Sequence, residues 1–556
     1  MKTKHIAGAV ALALLGGNAF AAISENENGF PIFSTASGGD TVEVRLSGAS
    51  APRGVLETLV TRTEELCAPG AVIYKFQDSI NNREQEAFLC EANRAAGKPL
   101  AGLTKPNILF RKRSEGGSAQ GVQPIIGDAS DPQGIPLSYM KVQDSTCGTP
   151  TSSALTSLSG GPNRTRKTAT CTYTADSTQG VLEDANTQED LISHFGVSDA
   201  DPGVFKGVNT PSGFTDVTDT SNITIKPAFL IAFGIPATTG LRNALQEAQI
   251  ATGELPSTCT AGDDSEACMP SLSDALVTSI ATGRLEYWSD VKVKHPTLGL
   301  ISLPDLASNK PGDYPDAQVH WCRRVNGSGT QATFNVKYLR NPCVDGALSP
   351  LVATAGSGSY SSYTPVGSGT WVFENSSSGG VDNCLNGLGD PALDRWAIGV
   401  QSTENNALTE TRNYRFVKTN GYAPTIKNTA LGKNLYTGEL TYQYNNTRYT
   451  GMNGDEKKVV DGVIARTGVP AVVEDINKAF AHNTDVAGKE WQGGILANSA
   501  FNNPLDPTNN DAAFEKEWPV SQFTTAPAGF QVNNCRPMVL NGPTYPTTGG
   551  FPENEL

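Results

Sequence analysis

The sequence predicts an α/β protein, and two repeats of one local order predict it: strand, small-residue turn, helix. Thr41-Val-Glu-Val-Arg-Leu-Ser47 alternates as a strand does, Gly48-Ala-Ser-Ala-Pro52 turns, and Val55, Leu56, Leu59 and Val60 recur at helical spacing. The order returns where Val319-His-Trp-Cys-Arg-Arg324 enters the Gly-rich turn Val325-Asn-Gly-Ser-Gly-Thr330, and Gln331 to Leu339 carries Phe334 and Tyr338 at helical spacing. Composition agrees: 556 residues, 38% hydrophobic, with Gly 57 and Pro 34, describe a loop-rich globular chain, not a collagen-like or disordered one. At about 150 residues per domain, that length predicts roughly three to four structural units.

The chain opens with Met1-Lys-Thr-Lys4, an apolar run from Ile6 to Leu15, and Ala19-Phe20-Ala21, the three parts of a secretory signal peptide, residues 1–21. No later run of about 18 apolar residues suggests a membrane span, and Ala22 is no lipidatable cysteine. A soluble product, periplasmic or secreted, is expected. Residues 121–192, rich in Thr, Ser, Asp and Gly, are expected to form an inserted loop or subdomain, and residues 353–380 surface loops. Between them, Phe229-Leu-Ile-Ala-Phe-Gly-Ile235 predicts a buried strand and Leu272 to Ile280 a helix. The tyrosines of Leu440 to Tyr449 alternate as one face of a strand.

All ten cysteines follow the leader, and an even set in an exported chain favours disulfides. Connectivity does not follow from sequence. The economical pairing joins neighbours, Cys67 to Cys90, Cys147 to Cys171, Cys259 to Cys268 and Cys322 to Cys343, which leaves Cys384 for Cys535. The net charge of −14 grows more negative by two when Lys2 and Lys4 leave. Long-range repulsion therefore argues against nucleic acid and anionic membranes as partners, while local backbone dipoles still admit a small anion. None of the five histidines lies three or four residues from another, as a helical zinc site requires, and the Ser118 segment misses the last glycine of G-x-S-x-G. No catalytic residue, metal or cofactor is expected, and the chain is read as a non-enzyme.

Four segments point to one chemistry: Leu46-Ser-Gly-Ala-Ser-Ala-Pro-Arg53, Ser114-Glu-Gly-Gly-Ser-Ala-Gln-Gly121, His194-Phe-Gly-Val-Ser-Asp199 and Arg324-Val-Asn-Gly-Ser-Gly-Thr330. Each sets hydroxyls or glycines beside an expected helix start, where N–H and O–H donors hold an oxyanion without a metal. Arg324 adds a fork that can grip two oxygens.

In this order, with Gly283 to Trp288 and Tyr338-Leu339, the segments resemble the phosphate-binding periplasmic proteins of ABC transporters, as an enlarged and divergent member. The resemblance fades in the inserted segment and after about residue 450. It implies an α/β, two-lobed class II periplasmic-binding-protein fold with a hinge, plus disulfide-stapled insertions. The implied lobes are residues 22–228 (insertion about 122–192) and 229–399, with 400–556 returning to the first lobe and adding a C-terminal extension. It further implies inorganic phosphate, or a related oxyanion, captured between the lobes for an inner-membrane ABC transporter permease. The family's ligand residues fall on Ser118, Asp199, Arg324, Ser328, Gly329 and Thr330. Asp199 would select, since a carboxylate accepts from the P–OH of phosphate and repels sulfate. The chain departs from the family twice, with Pro52-Arg53 for Thr-Phe and Asn326 for Asp, which adds Arg53 and Asn326 to the candidate ligands. The rival expectation is a secreted or surface structural or adhesive protein that reuses the fold without transport, supported by the extra length and the disulfides.

Overall fold

The computed structural model describes residues 23–80, 84–127, 132–174, 184–356, 358–361, 369–405, 412–479, 494–498, 519–527 and 530–540. The expected signal peptide lies outside these residues, as does most of the chain after residue 479. The architecture is α/β, with two sheets that share one long strand.

That strand, Ile223–Thr238, contains the predicted apolar run and is buried along its second half, where it passes between the sheets. Its first half pairs antiparallel with Thr437–Asn445 and Ile495–Ala497, its second half with Tyr414–Thr419 and Ala397–Gly399. From Thr437–Asn445 the first sheet continues through Phe195–Ser198, Thr41–Gly48, Asn107–Arg113, Gln85–Glu91 and Ile73–Asp78. In the second sheet, His320–Arg324 lies parallel between Ala397–Gly399 and Trp371–Asn375.

The predicted strand–turn–helix units are present. Thr41–Gly48 leads to the helix Arg53–Thr61, whose Val55, Leu56, Leu59 and Val60 are buried on the first sheet beside Val459, Val460 and Val463 of the helix Gly454–Arg466. Asn453 and Glu456 form a capping box that starts this second helix. The predicted helix near Leu272 runs from Asp274 to Ala281, capped by Ser273, whose Oγ accepts from the Leu276 N–H at 3.1 Å.

Other expectations change. Within 121–192 the hairpin of Thr151–Leu155 and Arg164–Cys171 extends the first sheet, because Arg164–Cys171 pairs parallel with Ile73–Asp78. Within 353–380 the strand Trp371–Asn375 joins the second sheet between His320–Arg324 and Ala355–Gly356, so a paired strand interrupts the expected surface loops; residues 357 and 362–368 of this stretch lie outside the described residues. Tyr449 leaves the expected strand, which ends at Asn445; Asn445 Oδ1 accepts from the Arg448 N–H and starts a short helix.

Among the described residues every cysteine is bridged. Cys67–Cys90, Cys147–Cys171 and Cys259–Cys268 pair as neighbours. The remaining expected pairs are overturned: the bridges are Cys322–Cys384 and Cys343–Cys535, which interleave along the chain. Cys322 lies inside the strand His320–Arg324 and faces the helix Ser378–Leu388, which carries Cys384 in a shared cluster with Phe373 and Leu385. Cys343 lies in the loop beyond that cluster.

Candidate functional site

The parallel strands Thr41–Gly48 and Phe195–Ser198 end side by side, and three glycines let their turns interlock. A Cβ on Gly48 would stand 2.0 Å from the Val197 carbonyl oxygen, and one on Gly196 would stand 1.8 Å from that of Gly121. Side chains there would separate the turns that carry Ser50, Ser118 and Asp199. Ser47 Oγ donates to the Gln120 carbonyl at 2.9 Å and fixes the Ser118 turn on its strand.

The second sheet brings Arg324 and the helix Gly329–Phe334 to the same place. Ser328 caps this helix, its Oγ accepting from the Gln331 N–H at 3.5 Å. The Ala119 N–H donates to the Gly327 carbonyl at 2.9 Å, joining the two turns. A Cβ on Gly329 would lie 2.3 Å from Ser118 Oγ and 2.6 Å from Asp199 Cβ. Only a glycine allows this approach.

Ser118, Asp199, Arg324, Ser328, Gly329 and Thr330 thus converge from both sheets, all buried. Thr330 Oγ1 donates to Asp199 Oδ2 at 3.1 Å, and Ser118 Oγ accepts from the Asp199 N–H at 3.1 Å. Asp199 Oδ1 is buried without a partner. Burial pushes the Asp199 carboxyl up to about 6, against the pull of Arg324, Thr330 and Lys112.

Arg324 is 1% exposed and spreads its guanidinium over four acceptors. Nε donates to the Asn375 carbonyl at 3.2 Å, Nη1 to Ser378 Oγ at 3.3 Å, and Nη2 to Ser50 Oγ at 3.2 Å and the Ser376 carbonyl at 2.6 Å. Only the Ser50 contact crosses to the turn of the first sheet. Of the two candidates from the sequence departures, Asn326 is engaged by Arg323, while Arg53 acts on the buried Glu84 and Lys112 beside this focus. Asn326 Oδ1 accepts from Arg323 Nη2 at 2.9 Å, and Arg53 Nε stands 3.8 Å from Glu86 Oε2 with its side chain 29% exposed.

Sequence reasoning missed Ser376 and Ser378, which sit in a Ser/Gly run taken for a surface loop, and did not single out Ser50 within its turn. The signal was present, since Trp371-Val-Phe-Glu-Asn375 followed by Ser376-Ser-Ser378-Gly-Gly380 repeats the order of strand, small-residue turn and helix. Lys112 and Glu84 were missed too. Lys112 Nζ donates to the carbonyls of Gly48 and Arg113 at 3.1 and 2.9 Å and to Ser114 Oγ at 3.0 Å, and burial lowers the amine to about 7. Among the described residues no group of His, Cys, Asp and Glu could hold a metal ion, and no helix is long and apolar enough to cross a membrane.

No protein-family model and no curated protein matches the chain. Several solved structures do, remotely. A Clostridium perfringens structure with bound phosphate, assigned as the substrate-binding protein of a phosphate ABC transporter, aligns over 51% of this chain and 78% of its own, at 12% identity and a TM-score of 0.29. An ABC-type phosphate transport receptor from Vibrio cholerae aligns over 49% and 74%, at 10% identity and TM-score 0.26. PstS from Borrelia burgdorferi aligns over 56% and 86%, at 14% identity and TM-score 0.24. Likenesses this distant leave the function to be argued from the site itself.

Proposed function

We propose that this site captures inorganic phosphate, or a closely related tetrahedral oxyanion, without turning it over. One observation carries the reading: a buried, unpartnered carboxylate oxygen, Asp199 Oδ1, stands in a ring of hydroxyls beside the buried charge of Arg324. A carboxylate can only accept, so its free lone pair calls for a ligand that brings a proton, while Arg324, Ser118 and Thr330 call for one that brings oxygens. Protonated phosphate meets both demands, and sulfate meets only the second.

The role that follows is binding and delivery: an exported protein holds the anion between its two sheets and passes it to an inner-membrane ABC transporter. Calorimetric titration of phosphate-stripped protein tests the reading. Phosphate should bind one to one and sulfate should not. Asp199→Ala and Arg324→Ala should each weaken phosphate by roughly 100-fold, as expected for losing a charged hydrogen-bond partner in a buried site. Absence of heat and of thermal stabilisation with either anion would favour the structural or adhesive alternative.

A further inference from the structure

A second buried carboxylate acts on the same arginine, Arg324. Glu84 precedes the strand Gln85–Glu91, and its carbonyl accepts from the Ser114 N–H at 2.7 Å, which holds it against the turn that carries Ser118. The residue is 4% exposed, and both its carboxylate oxygens are buried with no partner. Of the acids acting on Arg324, Glu84 acts most strongly, ahead of Asp199. The charged groups facing it are Arg324 from the second sheet, Arg53 from the first helix, Lys112 from the neighbouring strand, Glu115 from the Ser118 turn and Asp78 from its own hairpin. Two free oxygens in a closed interior demand donors. Among the described residues none is supplied, although cations lie close by.

We propose that Glu84 is a second ligand-facing acceptor, so that the site takes phosphate together with one proton shared between Glu84 and a phosphate oxygen, in addition to the P–OH that donates to Asp199. The proposal rests on the phosphate reading above. Dihydrogen phosphate against ionised Glu84 and hydrogen phosphate against protonated Glu84 are the same species with the proton on either side of one hydrogen bond. The complex is therefore defined by its proton count, not by where the proton sits. Burial, reinforced by Glu115, pushes the Glu84 carboxyl up to about 7, so the empty site has shed this proton above pH 8 and regains it on binding. Such a site rejects anions that carry no ionisable hydrogen twice over, once at Asp199 and once at Glu84.

The test is phosphate titration at about pH 8.5 in two buffers of different ionisation heat, which counts protons taken up per phosphate bound. The unsubstituted protein should take up about one proton and lose about tenfold in affinity per pH unit above pH 8. Glu84→Gln should still bind phosphate, with uptake near zero and an affinity flat with pH over that range. Binding by the unsubstituted protein without proton uptake overturns the proposal whether or not the variant folds. Uptake that persists in Glu84→Gln assigns the proton to Lys112 or Asp199 and overturns it as well. If the unsubstituted protein binds no phosphate, the phosphate reading itself falls, an outcome distinct from either of these.

Discussion

Gly329 shows how closely single residues are constrained here. It opens a helix in ordinary geometry, so its missing side chain is a matter of space: Ser118 and Asp199 fill the place a Cβ would take. Gly329→Ala should cost about 1–3 kcal/mol in denaturant unfolding, the usual scale of overpacking, and should weaken phosphate binding because the two sheets must part to admit the methyl. His194 illustrates a residue legible as a letter but not as a role. Its Nδ1 accepts from the Arg45 N–H at 3.0 Å, and burial holds the ring neutral down to about pH 4, outweighing the opposing pull of Glu456. A base whose folded pKa lies below its unfolded value gives stability that is present above about pH 6.5 and lost as pH falls towards 4. Unfolding free energy should therefore fall by about 2 kcal/mol more between pH 7 and pH 5 than in His194→Asn, which urea titrations at the two pH values would measure. Asp199, Arg324 and Thr330 were visible in the sequence because turn motifs carried them. Glu84 and Lys112 were not, because their meaning depends on burial, which no local pattern records.

At the scale of elements, visibility followed length and period. The helix at Val55 to Val60 and the strand around Phe229 to Ile235 display enough apolar residues to be recognised alone. The strand Trp371–Asn375 has five residues between Gly/Ser flanks, and only its pairing with His320–Arg324 and Ala355–Gly356 makes it part of a sheet. The same pairing explains the disulfide that neighbour order mispredicts. The helix following Trp371–Asn375 returns across the sheet and lays Cys384 on Cys322, closing a separation of 62 residues. Replacing both cysteines by alanine should lower stability by about 2–5 kcal/mol in guanidinium unfolding, the range for loss of a native bridge.

Across the whole molecule, the strand Ile223–Thr238 serves both sheets, so they are tied through one continuous backbone and through the Arg324 contact to Ser50. A further tie comes from the C-terminal segment. Thr524 Oγ1 and the Thr525 N–H donate to buried Glu439 in the first sheet. The Asn534 N–H donates to Asp201 Oδ2 at 2.7 Å, and Cys535 bridges to Cys343, a few residues past the helix that starts at Gly329. Phosphate should therefore exchange faster from a Cys343→Ala/Cys535→Ala variant than from the unsubstituted protein, which stopped-flow displacement would detect. No reading of one sequence reaches this scale, because the partners lie 192 residues apart.

The interleaved bridges also bear on how the protein is made. A chain that leaves the ribosome N-terminus first presents Cys343 to Cys322 before Cys384 exists, so once the six earlier cysteines have paired among themselves the first bridge open to Cys322 is a wrong one. Oxidation alone fixes that error, and only attack by another thiolate undoes it. Preparations oxidised without a disulfide isomerase should carry the Cys322–Cys343 peptide in non-reducing digests, and adding the isomerase should convert it to the two native pairs. Where that conversion is seen, correct pairing of this chain depends on thiol exchange as well as on oxidation.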